Sequence, residues 1–143
     1  VTLKKRFAAL LVVPALTLGA GLFAAGTAAA STASPASGCR NPPVYADGLT
    51  VSTCITQTGP SSAYGNVRTS GSNNTLINLC VELVDGNQNL VPNSRDCQTQ
   101  PGSDGSVLTP TMYNLAPGTY YAVSYFTSPT YWYGGESPGI SAS

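Results

Sequence analysis

The chain has 143 residues, of which only 8% are charged, with six basic and six acidic side chains and no histidine. The missing imidazole removes the usual general base for a serine or cysteine nucleophile, and the commonest zinc ligand with it. Arginines that are few and scattered give no basic footprint for nucleic acid.

Residues 1–30 read as a secretory signal peptide. Lys4, Lys5 and Arg6 form a positive end, about sixteen apolar residues run from Phe7 to Leu22, and Ala28-Ala29-Ala30 offers a small-residue cleavage site before Ser31. The apolar run falls short of the roughly 20 residues that span a bilayer, and no basic stop-transfer cluster follows, so cleavage is expected over an uncleaved anchor. The polar tail ending at Ser143 holds no apolar run, so no second anchor is expected and no membrane contact after cleavage. Val1 stands where a methionine is expected. A valine codon read as a start would explain it and would predict a bacterial source; a trimmed sequence explains it equally well. Export predicts an extracellular protein whose cysteines meet an oxidising compartment.

Cleavage leaves about 113 residues, enough for one domain. That part keeps Arg40, Arg68 and Arg95 against Asp47, Glu82, Asp85, Asp96, Asp104 and Glu136, three against six, for a net charge of −3. Ser31 to Gly38 is small and polar and is expected to be a flexible linker, 31–38. The domain proper is expected over 39–143.

Within that domain no segment sustains a helical period, and Gly and Pro interrupt too often for a long helix. Strand-like runs recur instead. Leu49 to Gln57 is rich in Thr, Val and Ile. Tyr64 to Ser70 is weaker. Thr75 to Val84 is strongest: Ile77, Leu79, Val81 and Leu83 share one face, with Asn78, Cys80 and Glu82 on the other. Asp85-Gly86 marks a turn. Asn89 to Val91 and Arg95 to Thr99 suit a returning strand, with Pro92 forcing an edge or a bulge. After the turn signal Asp104-Gly105, Ser106 to Tyr113 runs towards Pro117-Gly118. Gly118 to Thr127 is rich in Thr and Tyr, and Tyr131 to Tyr133 suits a short last strand. This spacing predicts a small antiparallel β-sandwich of about seven short strands.

Four cysteines, Cys39, Cys54, Cys80 and Cys97, allow three connectivities. Cys80 lies opposite the apolar face of its strand, and Cys54 likewise opposes Leu49, Val51 and Ile55. A bridge between sheets through the core needs both cysteines facing inward, so local staples, Cys39–Cys54 and Cys80–Cys97, are expected over Cys54–Cys80. Each would close a loop worth about 3 kcal/mol in the chain-entropy model. With no CxxC spacing and no histidine, no metal site is expected.

Val81-Glu82-Leu83-Val84-Asp85-Gly86, then Asp104-Gly105-Ser106, then Leu115-Ala116-Pro117-Gly118-Thr119-Tyr120-Tyr121 resembles the prealbumin-like repeat of Cna-B and SpaA-type surface domains. In that repeat a strand ends in an Asp-Gly turn, and a Pro-Gly-Thr-Tyr turn leads into a later strand. The resemblance covers about 40 residues and implies a β-sandwich. The family often carries a Lys–Asn isopeptide crosslink. No lysine follows Ala30, so disulfides would have to replace it.

Little chemistry is in view. Glu82 with Asp85, and Asp96 with Asp104, are the close carboxylate sets that a glycosidase would need. Each lies near a turn and reads as solvated surface charge. Asp85-Gly86-Asn87-Gln88-Asn89 opens like a calcium loop, but Leu90 stands where glycine is required and no bidentate Glu follows at the right distance. No catalytic residue and no cofactor is expected.

The candidate contact surface is aromatic. Tyr120, Tyr121, Tyr125, Phe126, Tyr131, Trp132 and Tyr133 fall within fourteen residues. Tyr120 and Phe126 share one strand face, Tyr121 and Tyr125 the other, so some rings must reach the surface. Tyr125, Tyr131, Trp132 and Tyr133 are the expected binding residues; the alternative is that they pack over the end of the sandwich. The expected function is a small secreted, non-catalytic binding or structural module that contacts polysaccharide, cell wall or a protein partner. The alternative is an inhibitor of an extracellular hydrolase, presenting the loop between Cys80 and Cys97.

Overall fold

A computed structural model describes residues 36–143. The expected signal peptide, 1–30, and residues 31–35 of the expected linker lie outside the described residues.

The described chain is all-β, in two antiparallel sheets. Its strands are β1 (Ser37–Cys39), β2 (Val44–Ala46), β3 (Leu49–Gly59), β4 (Ser62–Gly71), β5 (Leu76–Asp85), β6 (Asp96–Pro101), β7 (Ser106–Leu108), β8 (Gly118–Phe126), β9 (Trp132–Glu136) and β10 (Ile140–Ala142). In the first sheet β7, β4 and β3 are neighbours, and β1 and β2 share the free edge of β3. In the second, β6, β5 and β8 are neighbours, and β9 and β10 share the free edge of β8. The count exceeds the seven expected. The additions are β1, β2 and β10, three residues each, too short to show a period-two pattern on their own.

The linker is shorter than expected at its C-terminal end. The Gln57 N–H donates to the Ala36 carbonyl at 2.8 Å, and Ser37 and Gly38 already pair with Thr56 and Ile55. The open edge of β3 recruits this segment because unpaired strand groups seek partners.

Alternation places the core. Ile77, Leu79, Val81 and Leu83 are all fully buried, as their parity predicts, and face Leu49, Val51, Ile55 and Val67 of the first sheet. Each such side chain contributes about 1.5–3 kcal/mol on burial. At Gly65 the sheets approach closely: a Cβ there would lie 2.8 Å from the Ala122 Cβ.

Hydroxyls take over where the ladders break. Pro110 has no N–H, so the strand expected to run on to Tyr113 stops at Leu108. The Gly65 N–H then donates to Thr109 Oγ1 at 2.9 Å, and pairing resumes at Met112 with Ala63. One chain of hydroxyls crosses the core. Ser124 of β8 donates to Thr53 Oγ1 of β3 at 2.6 Å, and Thr53 donates to the Gly134 carbonyl of β9 at 3.1 Å. Thr53 and Ser124 are fully buried, so this chain satisfies polar groups that water cannot reach.

Both disulfides form as local staples, Cys39–Cys54 and Cys80–Cys97, with sequence separations of 15 and 17. Each joins directly opposed residues of neighbouring strands. Both lie on outward faces, the parity that excluded a bridge through the core. Disulfides fit an oxidising environment. Among the described residues no helix is long and apolar enough to cross a membrane.

Candidate functional site: an aromatic face on the second sheet

Strand register assembles the site. Cys97 pairs with Cys80, Cys80 with Tyr125, and Tyr125 with Tyr133, a row running across β6, β5, β8 and β9 on the outward face. Although Cys80 points away from the core, it is only 2% exposed, because its row neighbours close over it. The disulfide thus forms a stiff floor beside the Tyr125 ring.

Tyr125 is half-buried. Its ring packs on Tyr131 with centroids 5.9 Å apart, tilted by 32°. Its hydroxyl donates to Glu82 Oε2 at 3.2 Å, and the same oxygen accepts from Arg95 Nε at 2.6 Å. Glu82 is therefore not the solvated surface charge expected from its place near a turn: its side chain is 13% exposed and paired. The signal for this lay in the cysteines. A Cys80–Cys97 register sets residue 82 opposite residue 95, one pair further along the same face. Burial, and then the Glu82 charge, push the Tyr125 phenol above the ordinary tyrosine value. Burial, followed by the charge of Glu136, does the same at Tyr133. Both phenols thus stay neutral, and the single O–H of Tyr125 is committed to Glu82, which leaves its oxygen lone pairs as acceptors.

Tyr131 and Tyr133 are 61% and 48% exposed. A bulge holds Tyr133 in this row. Between Ser124 and Tyr125 the register slips, so that Gly134 has no opposite residue. Gly135 sits at φ +100°, and a Cβ on Gly134 would overlap Ser124 Oγ. The strand is longer than the expected Tyr131 to Tyr133, because it runs through the paired glycines. Here they form a bend through which β9 continues to Glu136.

The four expected binding residues divide. Tyr125, Tyr131 and Tyr133 share the outward face. Trp132 pairs with the fully buried Phe126 and so points to the opposite side of β9. Its ring lies 6.4 Å from that of Phe126 and covers the edge of the core. Of the remaining rings, Tyr121 is half-buried on the outward face. Tyr120 is buried, and its hydroxyl donates to the Ala116 carbonyl at 2.9 Å. That bond across the Pro117-Gly118 turn is a tyrosine corner of the kind found in Greek-key sandwiches.

The acidic turn has a structural task. Asp85 Oδ1 accepts from the Asn87 and Asn89 N–H groups at 2.8 and 2.9 Å, and Oδ2 accepts from Asn89 Nδ2 at 3.1 Å. These bonds, the Asn89 side chain first, lower the Asp85 pKa from the usual aspartate value. Gln88 Nε2 donates to Glu136 Oε2 at 3.0 Å, which ties the turn to β9. Among the described residues no three His, Cys, Asp or Glu side chains are grouped to hold a metal ion.

A scan against protein-family models finds no match, and searches of the curated proteins and of the solved structures find none either.

Proposed function

We propose that this domain is an extracellular, non-catalytic module that binds polysaccharide through the outward face of its second sheet. One observation carries the reading. Tyr131 and Tyr133 expose their rings beside half-buried Tyr125, on its β9 side, above a sheet stapled by Cys80–Cys97. A sugar ring offers an apolar C–H face that stacks on an aromatic ring. The adjoining hydroxyls of Tyr125 and Tyr133, with Arg95 and Glu136, supply donors and acceptors for its hydroxyl groups. Because the sheet and disulfide hold these groups in advance, little ordering entropy is lost on binding. The disulfides support export into an oxidising compartment. The inhibitor reading takes second place, since the Gln88–Glu136 hydrogen bond lays the loop between Cys80 and Cys97 along the sheet instead of projecting it.

Retention on insoluble cellulose, chitin, xylan and peptidoglycan tests the proposal. The disulfide-bonded chain should be retained on at least one of them. The Tyr131→Ala/Tyr133→Ala variant should lose about tenfold in affinity, as expected when two stacking contacts together contribute about 1.4 kcal/mol. Equal retention of the variant, or none of the parent on any polymer, overturns the reading.

A further inference from the structure

We propose that the cleft at the other end of the second sheet is a second glycan subsite, which takes a neutral sugar residue and makes the domain bivalent; this rests on the reading of the domain as a glycan binder. The cleft encloses about 320 Å³, at the lower end of the roughly 300–1,000 Å³ of small-ligand sites. It lies where β5 ends and the segment from Met112 to Ala116 passes beneath it.

The lining matches the chemistry of a pyranose. Tyr113 is 70% exposed and Leu90 41%, so the cleft has an aromatic wall and an aliphatic one. Backbone geometry turns Tyr113 outward. Asn114 adopts the left-handed conformation at φ +56°, which asparagine tolerates better than most residues. That reversal sends Leu115 into the core, where its N–H donates to the Ser61 carbonyl at 2.9 Å, and leaves Tyr113 at the surface.

Three polar groups converge on the same space. Asp85 Oδ2 accepts one hydrogen bond, from Asn89, and a carboxylate oxygen has room for about two. The Asn89 amide keeps a second N–H and its own carbonyl. The Asn114 side chain has no hydrogen-bond partner among the described residues. Acceptors and amide donors beside an aromatic ring bind hydroxyl groups and the C–H face of a sugar together. No cationic side chain lines the cleft, and the Asp85 charge repels anions, so a neutral sugar fits and a uronic or sulfated one does not.

One sugar residue cannot touch both sites. Asp85 pairs with Tyr120 at the cleft end of β5, and Cys80 pairs with Tyr125 at the aromatic face. Five residues separate them, about 17 Å at 3.4 Å per residue. Two separate contacts let one domain bridge two polymer chains, or gain avidity on one long chain.

The test is an NMR amide-shift titration of the disulfide-bonded full chain with cellohexaose, chitohexaose, xylohexaose and maltohexaose. At least one should shift the amides of Asn89, Tyr113 and Asn114 along a saturating curve distinct from that of Tyr131 and Tyr133. Tyr113→Ala should weaken the cleft curve about tenfold and leave the other curve unchanged. Asp85→Asn, as a second variant, should weaken it at least threefold. If the aromatic-face curve appears and the cleft amides stay still, the cleft proposal falls and the first reading stands. If only the cleft responds, the aromatic-face reading falls, and the bivalence proposed here falls with it. A cleft that responds to short peptides and to none of the sugars overturns the proposal.

Discussion

Replacing Thr53 by valine removes one hydroxyl from the core at almost constant volume. The Thr53 hydroxyl accepts from Ser124 and donates to the Gly134 carbonyl, and it is fully buried. Its loss leaves two polar groups without that partner, each at a cost of about 1–3 kcal/mol, so Thr53→Val should destabilise the fold by about 2–4 kcal/mol. Adding Ser124→Ala removes one of the stranded groups. The double variant should therefore be less destabilised than the two single variants summed, by about 1–2 kcal/mol. Urea unfolding with both disulfides intact measures the stabilities. Amide exchange at Gly134 and Gly135 reports locally, because the Thr53 bond holds β9 beside its bulge. A cost below about 0.5 kcal/mol for Thr53→Val, or strict additivity of the pair, would refute the inferred hydroxyl chain.

Replacing Cys80 and Cys97 together by alanine should cost about 3 kcal/mol in the chain-entropy model, close to the cost of replacing Cys39 and Cys54, because the loops are of similar length. Denaturant midpoints check this, and only the Cys80/Cys97 pair should also alter the near-ultraviolet circular dichroism of Tyr125. Tyr131→Ala and Tyr133→Ala, at exposed positions, should each change stability by no more than about 0.5 kcal/mol. A larger loss by thermal unfolding would mark those rings as packing elements. For Tyr125 and Tyr133 the folded pKa lies above the unfolded one. Their contribution is therefore fully present below about pH 10 and is lost as pH rises through the folded values. Absorbance titration at the phenolate band should show two late-titrating tyrosines, with stability falling in that alkaline window. Asp85 behaves oppositely, since its folded pKa is lowered. Its contribution is present above the ordinary aspartate value and lost as pH falls through the folded one, and the Asn87 and Asn89 amide signals should move in that acid range.

Much of the fold was legible because β-structure writes itself into sequence at period two. The buried face of β5, the outward cysteines and hence the local staples all follow from counting odd and even positions. Parity also divided the rings of β8: Tyr120 and Phe126 went inward, Tyr121 and Tyr125 outward. Alternation carries no signal where a segment is too short to alternate or where a special residue has two meanings. β10 has three residues. Gly134-Gly135 signals an end or a bulge with equal force, and only the partner strand decides. Glu82 sat in plain view beside a turn, yet its burial depends on an arginine thirteen residues away and on a tyrosine of another strand.

Read alone, the sequence determined local facts: the strand faces, the turn positions, the outward cysteines and the scarcity of acid–base side chains. These depend on neighbours within a few residues, whose geometry the backbone imposes. Tertiary structure decided which faces meet. It split Trp132 from Tyr131 and Tyr133, brought Glu82 under Tyr125, and gathered Asp85, Leu90 and Tyr113 around one cleft. Those groupings arise from the pairing of remote strands, which rests on complementary surfaces spread over the whole chain.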